Sequence, residues 1–208
     1  MLEQRLQRRL PGAESQQEMS PVKGYDHHKY YQQSSTARQA GVLALVIRES
    51  GSGCLKLLYI VRRSKKDDVH SGQISFPGGG LEIQDQHLEA TALRETEEEV
   101  GIQRGSIKII GALTPLYVFA SDNMVYPYVG YAKEPPRWKL QADEVDAILT
   151  PEVEVLSHLD TKRRTTINTP RGTLKNVPYY AIGDHVLWGA TAMITAEFLQ
   201  LWKEKDQL

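Results

Sequence analysis

The segment that decides the fold is residues 78–102, GGGLEIQDQHLEATALRETEEEVGI. It opens with three glycines, carries seven carboxylates and one arginine, and has the pattern of a helix over residues 87–101. At about 100° per residue, Glu95, Glu98 and Glu99 fall on one face of that helix. The helix is therefore predicted to present a concentrated negative charge in one direction.

Three like charges at i, i+3 and i+4 repel one another and destabilise an isolated helix. A hard divalent cation compensates such a set, and Mg²⁺ is typically held by a few carboxylates together with substrate phosphates. Arg94 adjoins the set and can orient one carboxylate, while the glycine turn lets a backbone carbonyl approach the same metal. These features favour metal-dependent hydrolysis of a phosphoanhydride. The alternative is a solvated acidic face that ends at Gly101.

The spacing of this segment resembles the Nudix box, G-x5-E-x7-R-E-U-x-E-E-x-G-U, in which U is apolar. The matching residues are Gly80, Arg94, Glu95, Glu98, Glu99, Gly101 and Ile102. Gln86 stands where the box has its first Glu, and Thr96 stands where an apolar residue is usual. The first Glu mainly supports the loop and helix in the family, and the neighbouring Asp85 is predicted to substitute for it. The resemblance implies an α+β fold, the Nudix α/β/α sandwich with a mixed β-sheet between helices.

The resemblance also implies a site with Mg²⁺ or Mn²⁺ as cofactor. The implied metal donors are Glu95, Glu98, Glu99 and the backbone carbonyl of Gly79 or Gly80, and Glu95 is either a ligand or the base that deprotonates water. Glu144 is the candidate for a further carboxylate from a distant loop, the alternative being a solvated acid. The candidate catalytic residues are therefore Glu95, Glu98 and Glu144, supported structurally by Gly80, Arg94 and Asp85.

Beyond the box, residues 70–79 and the preceding Arg63-Ser64 resemble the signature of the coenzyme A pyrophosphatase branch of Nudix hydrolases. This implies coenzyme A or its derivatives as the first substrate. Asp68 stands where many members of the branch carry Arg, which favours the alternative of a nucleoside diphosphate sugar or ADP-ribose. The candidate substrate-binding residues are Arg62, Arg63, His70 and Gln73; the alternatives are strand-end charges for the arginines and ordinary loop residues for the other two.

Composition excludes several other classes. The chain has 208 residues and a net charge of −1, so it lacks the basic excess of a nucleic-acid-binding protein. We expect no membrane span, because no stretch of 18 apolar residues exists. One cysteine, Cys54, and the lack of a signal-peptide core favour a cytoplasmic location. A non-hydrolysing Nudix-fold binding module is a further alternative.

Residues 1–36 differ from the rest, being rich in Gln, Ser and charge. Leu2, Leu6 and Leu10 would form one stripe on a short helix. This N-terminal extension is either loosely attached or a docking or dimer arm that would support a homodimer. Residues 37–208 are predicted to form the Nudix hydrolase domain.

Within that domain, the apolar runs at residues 42–47 and 55–61 predict a hairpin. Further strands are predicted at residues 73–76, 107–117, 125–132 and 174–182. Helices are predicted at residues 151–159 and 191–203.

Overall fold

The computed structural model describes residues 2–22, 36–64, 70–132 and 137–204. Asp68 lies outside these residues. The helices are α1 (Leu2–Leu6), α2 (Ala13–Gln17), α3 (Leu88–Val100), α4 (Val153–Ser157) and α5 (Gly189–Glu204), with short 3-10 helices at Arg104–Ser106 and Leu159–Thr161. The strands are β1 (Arg38–Arg48), β2 (Leu55–Leu57), β3 (Tyr59–Arg62), β4 (Ile74–Ser75), β5 (Gly78–Gly80), β6 (Ile107–Ala112), β7 (Leu116–Val118), β8 (Asn123–Ala132), β9 (Val145–Leu149), β10 (Lys162–Thr169), β11 (Gly172–Ile182) and β12 (His185–Trp188).

A six-stranded mixed sheet forms the centre of the domain. Its main path is β2-β1-β8-β6, with β5 paired to β1 and β7 paired to β8. β1 and β8 are parallel, and the other pairs are antiparallel. β1 contains the apolar run at residues 42–47, and most of that run is buried on both faces of the sheet. This burial explains why β1 occupies a central position.

Helical layers cover the two faces of this sheet. On one face, Leu43 and Leu45 of β1 share an apolar cluster with Ala92 and Val100 of α3. On the other face, alternate β1 residues share a larger cluster with Phe198 and other residues of α5. The arrangement confirms the predicted α/β/α sandwich. In the described part of the chain, no helix combines the length and the apolar character needed to cross a membrane.

Two predicted strands are each divided in the structure. The run at residues 55–61 is not one arm of a hairpin, because β2 pairs with β1 whereas β3 joins a separate sheet of order β4-β3-β9. The run at residues 107–117 is split into β6 and β7, and the β6–β8 register shifts between Ile109 and Gly111. Periodicity could not show either break, because both depend on which strand is the neighbour.

A second three-stranded sheet has the order β10-β11-β12, and β12 packs beside β4. β11 agrees with the prediction at residues 174–182. β10 was not predicted, because its sequence, KRRTTINT, is mostly polar and half exposed. β10 is a strand through its pairing with β11.

The described part of the N-terminal extension packs against the domain. Leu2, Leu6 and Met19 are buried in the α5-side cluster. Gln16 is fully buried and donates a hydrogen bond to Glu197 of α5 at 2.8 Å. α1 and α2 are therefore part of the second helical layer, and the division of the chain at residue 36 stays a prediction.

Candidate functional site

α3 has well-defined ends that set the orientation of its carboxylates. His87 caps the N-terminus, with its Nδ1 accepting a hydrogen bond from the backbone N–H of Ala90. Gly101 ends the helix at φ 78°, in the left-handed region that favours glycine. The helix lies close to β1 at Gly41, where a Cβ atom would fall 2.2 Å from the carbonyl oxygen of Leu88. A side chain at residue 41 would push α3 away from the sheet.

The glycine strand β5 brings backbone atoms to the acidic face of α3. The N–H of Gly78 donates to Oε2 of Glu99 at 3.0 Å. A Cβ atom on Gly79 would lie 2.2 Å from Oε1 of Glu95, so a side chain at position 79 would displace the Glu95 carboxylate. The role of the Gly78 amide was not predicted, although the run of three glycines is a signal for such an approach.

Arg94 connects the loop before α3 with two of the carboxylates. Its Nε and Nη2 donate to the two carboxylate oxygens of Asp85, each at 3.0 Å, and its Nη1 lies 3.0 Å from both Glu95 and Glu98. Nη2 also donates to the carbonyl of Gly80 at 3.4 Å. The Arg94 guanidinium holds the pKa of Asp85 well below its usual range.

Asp85, which precedes the position of the missing Glu, therefore provides a carboxylate partner for Arg94. Asp85 also accepts hydrogen bonds from the hydroxyl of Thr91 and the backbone N–H of Glu82. Gln86 itself is exposed. Although the first Glu of the box is missing, Arg94 has a bidentate carboxylate partner in Asp85.

Glu99 is a buried carboxylate with little to neutralise it. Glu99 is only 2% exposed. Burial raises the pKa of Glu99 to about 8, the Gly78 amide and Arg62 lower it, and the charges of Glu95 and Glu144 raise it further. Burial also raises the pKa of Glu95, which Arg94 lowers and which Glu98 and Glu144 raise. The structure therefore brings Glu95, Glu98, Glu99 and Glu144 within electrostatic reach of one another.

Glu144 reaches this group because its loop crosses the C-terminal end of α3. The N–H of Gln141 donates to the carbonyl of Glu99 at 3.1 Å, and the N–H of Arg63 donates to the carbonyl of Glu144 at 2.7 Å. The guanidinium of Arg63 donates to the carbonyl of Ala142 in the same loop. Arg63 thus contacts the loop that carries Glu144, whereas Arg62 lies close enough to Glu99 to affect its pKa.

His70 and Gln73 form a pair at the start of β4. Nδ1 of His70 and Oε1 of Gln73 are 3.0 Å apart, and the carbonyl of Gln73 accepts a hydrogen bond from the N–H of Arg62 at 3.0 Å. The four predicted substrate-binding residues therefore lie at the end of β3 and in the turn before β4.

The donor set fits a hard divalent cation. Several carboxylates face one another, and Glu99 is buried with a raised pKa, so a cation would remove an unfavourable concentration of negative charge. Within residues 2–22, 36–64, 70–132 and 137–204, no three His, Cys, Asp or Glu side chains already form a compact ligand cluster. Arg94 holds Glu95 and Glu98 in this arrangement, so these two would turn from Arg94 to reach a shared cation.

A family model and two relatives match this chain. The NUDIX domain family matches residues 37–168. The human protein named mitochondrial coenzyme A diphosphatase NUDT8 is 34% identical over 168 residues, covering 79% of this chain and 70% of the relative. An uncharacterized Nudix hydrolase, NudL of Photorhabdus laumondii, is 35% identical over 151 residues, covering 69% of this chain and 75% of the relative.

Solved structures support the fold. The Nudix hydrolase RenU of M. Smegmatis matches with a TM-score of 0.53 and 12% identity, covering 83% of this chain and 88% of that protein. A MutT protein of Methanosarcina mazei Go1 matches with a TM-score of 0.52 and 16% identity, covering 83% of this chain and 99% of that protein. At these identities the likeness concerns the fold alone.

Proposed function

Because the chain belongs to the Nudix hydrolase family, we propose that it hydrolyses the diphosphate linkage of coenzyme A or its derivatives with Mg²⁺ or Mn²⁺. The products would be adenosine 3′,5′-bisphosphate and phosphopantetheine. The observation that carries this proposal is the 34% identity, over 79% of the chain, to a protein named for coenzyme A diphosphatase activity. The alignment with this relative covers 168 residues, whereas the domain match covers 132, so the likeness extends beyond the matched domain.

The proposed roles follow the contacts of the site. Glu98 and Glu99 would hold the cation, with the carbonyl of Gly79 beside them, and Glu95 would either join them or accept the proton of the attacking water. When bound there, the metal would supply Lewis-acid chemistry to the substrate phosphates and lower the pKa of a water molecule. Glu144 would be a further carboxylate near the reacting atoms.

The proposed supporting and substrate-binding residues surround these carboxylates. Arg94 and Asp85 would set the geometry of the helix face, with Gly80 at the turn. Arg62 would face the substrate phosphates from β3, because it lies close enough to Glu99 to affect the pKa of that carboxyl. His70 and Gln73 would line the approach to the diphosphate, and Arg63 would contribute through the loop that carries Glu144.

The test is product analysis with Mg²⁺ on a panel of coenzyme A, ADP-ribose and several nucleoside diphosphate sugars. We expect cleavage of coenzyme A to adenosine 3′,5′-bisphosphate and phosphopantetheine, and loss of that cleavage in Glu98→Gln. Glu97→Gln is the matched control, because Glu97 pairs with Arg104 on a different side of α3. Full activity in Glu98→Gln would contradict the metal assignment, and no metal-dependent turnover of any substrate would favour a binding module.

A second candidate is a nucleoside diphosphate sugar or ADP-ribose pyrophosphatase. Asp68 favours it, because an acid where many members of the coenzyme A pyrophosphatase branch carry Arg disfavours the additional 3′-phosphate of coenzyme A. Preferential cleavage of ADP-ribose or a sugar nucleotide in the same panel would establish this alternative. Both candidates use the same carboxylates, so the substrate panel is the discriminating measurement.

The cytoplasmic location and the homodimer are also proposals. The human relative is named as mitochondrial, so fractionation of cells that express the protein tests the location directly. Light scattering of the purified chain tests the dimer. If the chain is a monomer at micromolar concentration, the proposed dimer arm is wrong, and α1 and α2 pack only against their own domain.

A further inference from the structure

A row of one arginine and two aromatic residues crosses the β10-β11-β12 sheet. Arg163 lies opposite Tyr179 in the antiparallel register, and Tyr179 lies opposite Trp188. Opposite residues of neighbouring strands point to the same face of a sheet. These three side chains therefore form one row, the Arg163–Tyr179–Trp188 row. With about 4.8 Å between strands, it spans about 10 Å.

The row faces away from α5. Tyr180 and Leu187, which neighbour Tyr179 and Trp188 in the chain, are fully buried in the cluster that includes α5. Because side chains alternate along a strand, the row points to the opposite face. In the neighbouring sheet, Ile60 of β3 packs in the apolar cluster that includes residues of α3, so its side chain points away from the α5 side.

This face continues from the row towards the carboxylates of α3. β12 packs beside β4. Ile74 and Phe76 belong to the α5 cluster, so Ser75 between them points to the same side as the row. β4 pairs with β3, and Arg62 at the end of β3 is close enough to Glu99 to lower its pKa. The surface from Glu99 to the row is therefore built on adjacent strands.

The chemistry of the row suits a nucleotide. Tyr179 and Trp188 are half-buried, and neither ring stacks on another aromatic ring within the described residues. Arg163 is exposed, and its Nε donates to the carbonyl of Asp160 at 3.3 Å, an arrangement that orients the guanidinium. Aromatic faces stack on bases of any sequence, and the arginine fork matches phosphate oxygens.

We propose that the Arg163–Tyr179–Trp188 row binds the nucleoside end of the substrate, with the base on the two aromatic rings and the 3′-phosphate at Arg163. This rests on the proposed hydrolysis of coenzyme A. Arg163 on β10 supplies a positive charge for the 3′-phosphate, although the sequence has an acid at position 68. The neighbouring Lys162 does not serve this purpose, because it lies on the opposite face and pairs with Glu18 at 2.7 Å.

The test is calorimetric binding of adenosine 3′,5′-bisphosphate and adenosine 5′-monophosphate to the full chain, which needs no turnover. We expect Arg163→Ala to weaken binding of the bisphosphate about 10-fold and to leave the monophosphate unchanged, since only the former carries the 3′-phosphate. Tyr179→Leu should weaken both ligands about 10-fold, and Tyr179→Phe should retain binding because it keeps the ring. Arg171→Ala, an exposed arginine at the tip of the same hairpin, is the matched control.

Steady-state kinetics separate the row from the proposed function. The KM of Arg163→Ala should rise about 10-fold for coenzyme A and stay unchanged for dephospho-coenzyme A, with kcat retained for both. Equal effects of Arg163→Ala on the two nucleotides, no effect on either, or no binding by the unmodified chain would each overturn the row. If the chain binds the bisphosphate through Arg163 but does not cleave coenzyme A, the proposed function fails and the row stands as a nucleotide site.

Discussion

Two buried glutamates, one in each helical layer, are stabilised in different ways. Glu197 of α5 is fully buried and accepts hydrogen bonds from the Gly12 N–H, the Gln16 amide, and the N–H and hydroxyl of Thr114. Glu99 of α3 is almost as buried, but it accepts one hydrogen bond within the described residues, from Gly78, and it faces Glu95 and Glu144. Glu197 is satisfied by donors that the fold supplies, whereas Glu99 has, in the described part of the chain, a single donor and two neighbouring carboxylates.

The largest expected effect is on the α3 side of this comparison. Glu99→Gln should lower kcat/KM for the cleaved substrate by about 1,000-fold or more, because a metal at this site supplies several kcal/mol of transition-state stabilisation. The measurement is the initial rate of product formation with saturating Mg²⁺. Without metal, the variant should be at least as stable to heat as the unmodified chain, because it replaces a buried acid whose ionisation is opposed by burial and by two neighbouring carboxylates.

Glu97→Gln is the control for this change, since Glu97 lies two residues away and pairs with Arg104 at 2.6 Å. It should keep activity within about twofold, as expected for a largely solvent-screened pair. A Glu99→Gln enzyme that is fully active, or one that is inactive because it is unfolded, would remove the distinction between the two glutamates.

The α5 side should show the reverse, with stability lost and chemistry retained. Leu6 is buried in the cluster below α5 and lies against Gly111, where a Cβ atom would fall 2.7 Å from that of Leu6. Leu6→Ala should lower the free energy of unfolding by about 2–5 kcal/mol, which is the usual cost of this truncation in a core. Urea unfolding measures the loss, and kcat/KM at low temperature should be unchanged.

Leu159→Ala provides the matched control, because this leucine is 79% exposed. It should change the free energy of unfolding by less than about 0.5 kcal/mol. A fall in kcat/KM for Leu6→Ala without a loss of stability would show that the N-terminal helices act on the site itself.

A smaller effect is expected from the loss of the carboxylate that holds Arg94. Asp85→Asn should lower kcat/KM about 10-fold and raise the Mg²⁺ concentration needed for half-maximal activity, because partners of metal-binding groups typically contribute 10- to 100-fold. Glu82→Gln is the control, since Glu82 is exposed and its carboxylate lies 3.9 Å from Arg94. Equal effects of both changes would mean that Arg94 responds to total charge and not to the bidentate contact of Asp85.

Local signals explain why α3 was predictable. The helix was predicted over residues 87–101, and the structure gives Leu88–Val100 with His87 and Gly101 as its caps. Both caps and the spacing of the carboxylates lie within the segment, so no distant contact was needed to define them. The contact between Asp85 and Arg94 is local for the same reason, because the two residues are only nine positions apart.

Contacts between distant residues explain what was not predictable. The partners of Glu197 lie 83 to 185 residues away in the chain, so nothing near Glu197 marks it as the residue that holds the N-terminal helices. Likewise, β10 has a polar sequence and acquires its place by pairing with β11. The approach of the Glu144 loop to α3 depends on backbone hydrogen bonds to Glu99 and Val100, which no side-chain pattern records.

The smallest effect concerns the titration of Glu197. Burial raises the pKa of Glu197, and hydrogen bonds from Thr114, Gln16 and Gly12 lower it without reversing the shift. These partners are neutral, so the sign follows from burial. The folded chain retains a proton on Glu197 at pH values where the unfolded chain has lost it, and stability falls as the pH rises from about 4.5 through the raised pKa.

Glu197→Gln lacks this titration. The Tm of the unmodified chain minus that of Glu197→Gln, measured with a chelator present, should therefore fall as the pH rises across this range. The other carboxylates are common to both proteins and cancel in the difference. A difference that grows with pH would mean that the four donors favour the charged carboxylate more than burial opposes it, and Glu197 would then resemble a helix-capping carboxylate more than a buried acid.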